Sequence, residues 1–167
     1  MSDKTNAVRC LGIDPGLANT GGSVVSRKKS GGFQHLASGV IRTESSACDA
    51  VRYATLYNAV NALIAEHTPD VLSIESVYFN KNVSSCLSTA SVIGVIRVAA
   101  ELSQLPSIQV RPQAVKAAVT GGGRASKAQV QKMVAKLLGV DIKNAHAADA
   151  AAVAMAGVLQ KSALKPR

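Results

Sequence analysis

Two kinds of hydrophobic pattern alternate along this chain, and each predicts a different element. Val8 to Ile13 is a short, nearly unbroken apolar run and reads as a strand. Ser23 to Ser26 and Phe33 to Thr43 read as two more, joined by the polar turn Arg27 to Gly32, so the chain opens with an antiparallel meander. From Cys48 to His67 the apolar residues, among them Leu56, Val60, Leu63 and Ile64, recur at helical spacing, and Pro69 ends that helix. Val71 to Glu75 returns to a short apolar run. Ser84 to Leu105 is apolar on nearly every side, with Arg97 and Glu101 its only charges, and reads as a long helix buried on both faces. One face can meet the sheet and the other a second subunit, since Ser84, Ser88, Ser91 and Gly94 permit close approach.

Ile108 to Val110 predicts a fifth strand. A short helix after Pro112 carries Lys116, followed by the loop Thr120-Gly121-Gly122-Gly123-Arg124. Ser126 and Gln129 form a capping box that opens a helix to Leu138, and Asn144 caps a last helix to about Gln160. The order predicts an α/β fold with a mixed sheet in a single domain over residues 1–160, and a loose basic tail over 161–167.

At 167 residues the chain is long enough for one well-formed core. With 47% apolar and 17% charged residues it is globular rather than disordered. No uninterrupted apolar run reaches the roughly 18 residues of a membrane span, and the N-terminus has neither a signal nor a transit character. A cytoplasmic location without membrane attachment is the expectation. Cys10, Cys48 and Cys86 are odd in number and lack metal-type spacing, which favours reduced thiols.

The formal charge of +9 points to a polyanionic partner. Between Arg111 and Lys143 there are seven basic residues and one acid, Asp141.

Against that background the acids stand out. Asp14 and Glu75 each end an apolar strand, where ligand sites form in α/β sheets. Asp-Pro-Gly is also good turn chemistry, so Asp14 taken alone reads equally as a turn residue. Asp149 is the only charged residue between Asn144 and Lys161. A lone carboxylate on an alanine-rich helix is costly to bury unless paired or bound to metal. His146 lies three residues earlier on the same helical face; a capping histidine beside a stray acid is the plainer alternative. Three carboxylates and an imidazole make an oxygen-rich set suited to Mg²⁺ or Mn²⁺ rather than zinc. Two such ions about 3.5–4 Å apart serve phosphodiester hydrolysis. Tyr78 and Phe79 lie in a polar stretch just after Glu75, where exposed aromatics can stack on bases, although one could anchor the core. Lys127 falls in the first turn of its helix, which the helix dipole disfavours, and is better explained as a phosphate contact. Lys132 and Lys136 read as solvated.

Four segments together resemble the RuvC family of Holliday-junction resolvases. They are LGIDPGLANTG at Leu11 to Gly21, IESVYFNKN at Ile74 to Asn82, VKAAVTGGGRASKAQVQKMV at Val115 to Val134, and HAADAAAVA at His146 to Ala154. The resemblance implies a ribonuclease H-like fold, a five-stranded mixed β-sheet flanked by α-helices. It implies a homodimer that nicks a four-way DNA junction symmetrically, with two Mg²⁺ per active site, replaceable by Mn²⁺, and a possible branch-migration motor as partner. Asp14, Glu75, His146 and Asp149 match the family's metal-binding and catalytic set, in which position 146 is Asp in some members and His in others. Lys116 and Lys127 match basic residues near the scissile phosphate, Tyr78 an aromatic at the junction centre, and Phe79 and Arg124 are further DNA-binding candidates. The glycine loop departs slightly, with Gly122 where Asn is common. Other readings are a related nuclease on other branched DNA or structured RNA, and a non-catalytic junction-binding protein. An actin-like phosphotransferase shares the Asp-x-Gly turn but needs a duplicated, much longer chain.

Overall fold

The computed structural model describes residues 7–77 and 83–163, with the side chains of 162 and 163 left aside. Three antiparallel strands come first: β1 (Arg9–Asp14), β2 (Asn19–Arg27) and β3 (Phe33–Arg42). Then follow α1 (Asp49–His67), β4 (Val71–Glu75), α2 (Val83–Leu102) and β5 (Ser107–Val110). The chain closes with α3 (Pro112–Thr120), α4 (Lys127–Leu138) and α5 (Ala145–Ala163). The sheet order is β3-β2-β1-β4-β5, with β4 parallel to β1 and β5 parallel to β4. This is the mixed five-stranded sheet that the sequence predicts.

Alternation along the strands separates two cores. Leu11, Ile13, Leu72, Ile74 and Val24 point to one face and pack with Leu56 and Val60 of α1 and with Val92 and Ile96 of α2. Cys10, Val25 and Val71 point to the other and meet α5, together with Val115 and Val119 of α3 and Val130 and Val134 of α4. A bulge between Val24 and Val25 leaves Leu36 without a partner in β3. It switches parity there, so that Ala37 and Ile41 join the α1 side.

On the α5 side the strand residues are unusually small, and this lets α5 lie almost on the sheet backbone. A β-carbon at Gly12 would collide with the backbone of Ala150 and Ala154, coming within 2.7 Å of Ala154 Cα. One at Gly21 would collide with the His146 carbonyl, and one at Gly157 would come within 2.6 Å of Cys10 Sγ. Ser23 Oγ donates to the Ala147 carbonyl at 2.8 Å and fixes the helix along its axis.

Several boundaries differ from the sequence reading. β2 begins at Asn19, four residues earlier than predicted, because Gly21 and Gly22 are ladder residues opposite Asp14 and Ile13. α2 ends at Leu102 rather than Leu105, since Gln104 takes a left-handed conformation (φ 53°) and turns Leu105 into the core. α5 continues to Ala163, so Lys161 is helical rather than part of a tail. α2 also has the length and apolar composition of a membrane span, with Arg97 and Glu101 interrupting its apolar run. Cys86, Val92, Ile93, Ile96, Ala99 and Ala100 on α2 are buried within the protein itself. Val83, Leu87, Val98 and Leu102 on its other side are exposed, so α2 is not buried all round within one chain.

Candidate active site

β1 and β4 run parallel in register, with Ile13 opposite Ile74. The next residue on each strand is a carboxylate, and alternation turns both toward α5. Pro15 cannot extend the ladder. The turn behind it is fastened by Thr20 Oγ1 donating to the Gly16 carbonyl and Thr43 Oγ1 donating to the Leu17 carbonyl, each at 2.6 Å. Arg52 Nε in turn donates to Thr43 Oγ1 at 2.9 Å. Asp14 is thereby set at the lip of the sheet by a braced turn. After Glu75, the Ser76 amide donates to the Val110 carbonyl and holds the end of β4 against β5.

α5 brings the other two groups. Asn144 caps it, its side-chain oxygen accepting from the amides of His146 (2.9 Å) and Ala147 (3.3 Å). His146 Nδ1 donates to Asp14 Oδ2 at 2.9 Å. Asp149, one turn further on, is only 20% exposed and forms an ion pair with Lys127 Nζ at 2.6 Å through Oδ2. Its Oδ1 accepts from Gln131 Nε2 at 3.3 Å. Gln131 escaped the sequence reading; the signal available was its position one turn after Lys127 on the same face of α4.

The electrostatics follow from crowding acids at a partly buried lip. Burial raises the Glu75 pKa, and the charges of Asp14 and Asp149 raise it further, to about 7, against weaker relief from Lys127 and Lys116. Burial also raises Asp14 above its usual range; the hydrogen bond from His146 opposes this and the Asp149 charge adds to it. Two carboxyls held above their usual range, with the Asp149 charge acting on both, mark a place suited to a cation. The donor set, carboxylate oxygens with one imidazole, suits a hard divalent ion. Among the described residues no three of these groups close into a ligand set; Asp14 is bonded to His146, and Asp149 to Lys127 and Gln131 of α4.

The basic candidates divide. Lys127 touches Asp149 directly and acts on Asp14 and Glu75 through its charge, and Lys116 acts on Glu75 through its charge. Arg124 does not join them. It lines a separate groove of about 580 Å³ with Thr120, Gln129 and the exposed Lys132 and Lys136. Tyr78 and Phe79 lie outside the described residues.

A ribonuclease H-like sheet whose adjacent parallel strands end in carboxylates, completed by an acid on the helix across them, defines a metal-dependent nuclease. Residues 10–157 match the family model for crossover junction endodeoxyribonuclease RuvC. The chain belongs to that family. It is 38% identical over 159 residues to the RuvC of Caldicellulosiruptor saccharolyticus, covering 94% of this chain and 96% of the relative. It is 42% identical over 147 residues to that of Corynebacterium diphtheriae, covering 87% and 90%. Among solved structures, Thermus thermophilus RuvC in complex with a Holliday junction substrate superposes with a TM-score of 0.87 at 26% identity, over 92% of this chain and 94% of that one. The yeast mitochondrial resolvase Ydc2 shares the fold at a TM-score of 0.66 and 15% identity, over 93% and 80%.

Proposed function

We propose that this protein resolves four-way DNA junctions by paired symmetric nicks, and that Asp14, Glu75, His146 and Asp149 form its hydrolytic centre. The observation that carries this is the meeting of Asp14 and Glu75 on the sheet lip with His146 and Asp149 on α5. Asp14 and Glu75 are held rigidly by ladder pairing and Asp149 by a helix seated on glycine, which is the preorganisation that catalysis at a phosphodiester needs. Two magnesium ions per site, or manganese in their place, are the proposed cofactor, held by Asp14, Glu75 and Asp149 with His146 completing the set. When bound, they supply activation of water and stabilisation of the leaving oxygen, so that cleavage leaves a 5′-phosphate and a 3′-hydroxyl. Lys116 and Lys127 supply positive charge to the phosphate of the cut strand, and Arg124 reaches DNA further out. Tyr78 is the proposed aromatic contact to the junction centre by its place in the sequence motif, and Phe79 a further proposed DNA contact.

Paired nicks call for two active sites, and we propose a homodimer formed through α2. Val83, Leu87, Val98 and Leu102 are 52–68% exposed on that helix, and a β-carbon at Gly94 would meet open space. Such a stripe of apolar side chains on one helix face suits a second copy of the same helix. A branch-migration motor complex is the further proposed partner. The location is proposed to be cytoplasmic, which agrees with Cys10, Cys48 and Cys86 forming no disulfide.

The test is cleavage of labelled four-way junction, linear duplex and structured RNA with Mg²⁺, Mn²⁺ or EDTA. Symmetric nicks in the junction alone, abolished by EDTA, support the proposal. Preferential cleavage of other branched DNA or of RNA would assign a different substrate, and tight junction binding without cleavage would make it a binding protein.

A further inference from the structure

Asp149 is held through both of its oxygens by one helix, and the two holders differ in kind. Gln131 is a neutral amide that donates to Oδ1. Lys127 is a full charge on Oδ2, yet its side chain is 66% exposed whereas that of Asp149 is 20% exposed. The carboxylate is fixed on a seated helix; the ammonium swings on a flexible four-carbon stem with solvent around it. Lys127 is also the first residue of α4, where the dipole repels a cation, so its own helix does not retain it there. The charges of Asp14 and Glu75 act on it as well. Lys127 thus stands at the mouth of the acidic cluster, bonded to the one carboxylate that α5 contributes.

We propose that Lys127 is an exchangeable counter-ion: without DNA it occupies Asp149, and a backbone phosphate draws it away and frees that carboxylate for a divalent cation. Phosphodiester and metal then bind cooperatively, each strengthening the other by the same factor. A phosphate is a suitable competitor, since it offers the ammonium a charge-assisted hydrogen bond of the same type. The consequence is a protein that binds metal poorly until a strand lies across its site. The inference rests on the nuclease reading of the site, but its test does not use cleavage.

Mn²⁺ binding to the DNA-free protein is measured from the paramagnetic resonance of the free ion. Lys127→Met should bind Mn²⁺ about five-fold or more tighter than the wild type, at the lower end of ordinary coupling strengths, with Lys127→Gln alike and Lys127→Arg unchanged. Lys116→Met removes a charge near Glu75 without touching Asp149, and should move the affinity much less. In EDTA, Asp149→Asn should tighten junction binding when Lys127 is present and not in the Lys127→Met background. Unchanged or weaker Mn²⁺ binding by Lys127→Met, an equal effect of Lys116→Met, or equal tightening by Asp149→Asn in both backgrounds would overturn the exchange. Failure of every variant and the wild type to bind Mn²⁺ would strike the metal site itself, and the exchange with it.

Discussion

Ile13 and Ile74 face each other across two parallel strands, and this pairing places the acids that follow them, Asp14 and Glu75, side by side. Neither carboxylate is at ease there. Asp14→Asn should lower junction cleavage by about a hundred-fold or more, in the range seen when a group acting at the reacting centre is removed. Thermal unfolding in EDTA should show the variant at least as stable as the wild type, because a repulsion has been removed. A loss of stability would mean that Asp14 serves the fold as a turn residue.

Glu75 makes stability depend on pH in a direction opposite to the usual carboxylate. Its folded pKa is about 7 against an ordinary 4.5, so the native state holds a proton that the unfolded chain has released. Its contribution is therefore fully present below about pH 4.5 and lost as pH rises through 7. Allowing for solvent screening of a partly exposed carboxyl, the loss is on the order of 1–2 kcal/mol. Denaturant titrations of the metal-free protein at pH 5 and pH 8 measure it, and Glu75→Gln should flatten the difference. Metal binding near pH 7 should release protons, detectable in weakly buffered solution.

The close seat of α5 should make Gly12 intolerant of even a methyl group. Gly12→Ala forces apart backbone that has no freedom to yield, at a cost of about 1–3 kcal/mol or more. Because α5 also carries His146 and Asp149, activity should fall further than the lost stability explains. Gly39, whose β-carbon would meet open space, is the control: Gly39→Ala should change the melting temperature little.

Gln131→Leu keeps the side chain's bulk and removes its bond to Asp149. Loss of an outer partner of a metal-ligating carboxylate typically costs 10–100-fold in metal affinity or activity. Here the expected result is a higher metal requirement for cleavage at unchanged melting temperature. An unaltered metal titration would show that Gln131 does not orient Asp149.

Leu87 is 61% exposed on the open face of α2, one turn from its start. Leu87→Asp should convert the proposed dimer to monomer in sedimentation experiments, leave the fold intact, and replace paired nicks by slower single ones.

Much of the site was legible in the residues. Apolar runs ending on Asp14 and Glu75, the isolation of Asp149 among alanines, the Asn144 cap and the Ser126–Gln129 capping box are local signals, and the structure contains each as read. Lys127 stood out for a local reason too, a cation where the helix dipole opposes one. The early start of β2 was hidden, because Asn19, Gly21 and Gly22 have weak strand propensity and are held extended by pairing with neighbouring strands. Gln131 was hidden because a glutamine on a half-exposed helix face carries no signal until its partner, 18 residues away in the chain, is in place.

The sequence by itself determined which elements form, which strands end in acids and which residue types could hold a cation, since propensity, periodicity and capping act over a few residues. Only the tertiary structure decided that α5 covers the face carrying Gly12, Gly21 and Ser23, and hence that His146 meets Asp14 across 132 positions of chain. That choice depends on close packing between distant backbones. No periodicity reports it, because a glycine in a strand looks the same whether a helix lies on it or water does.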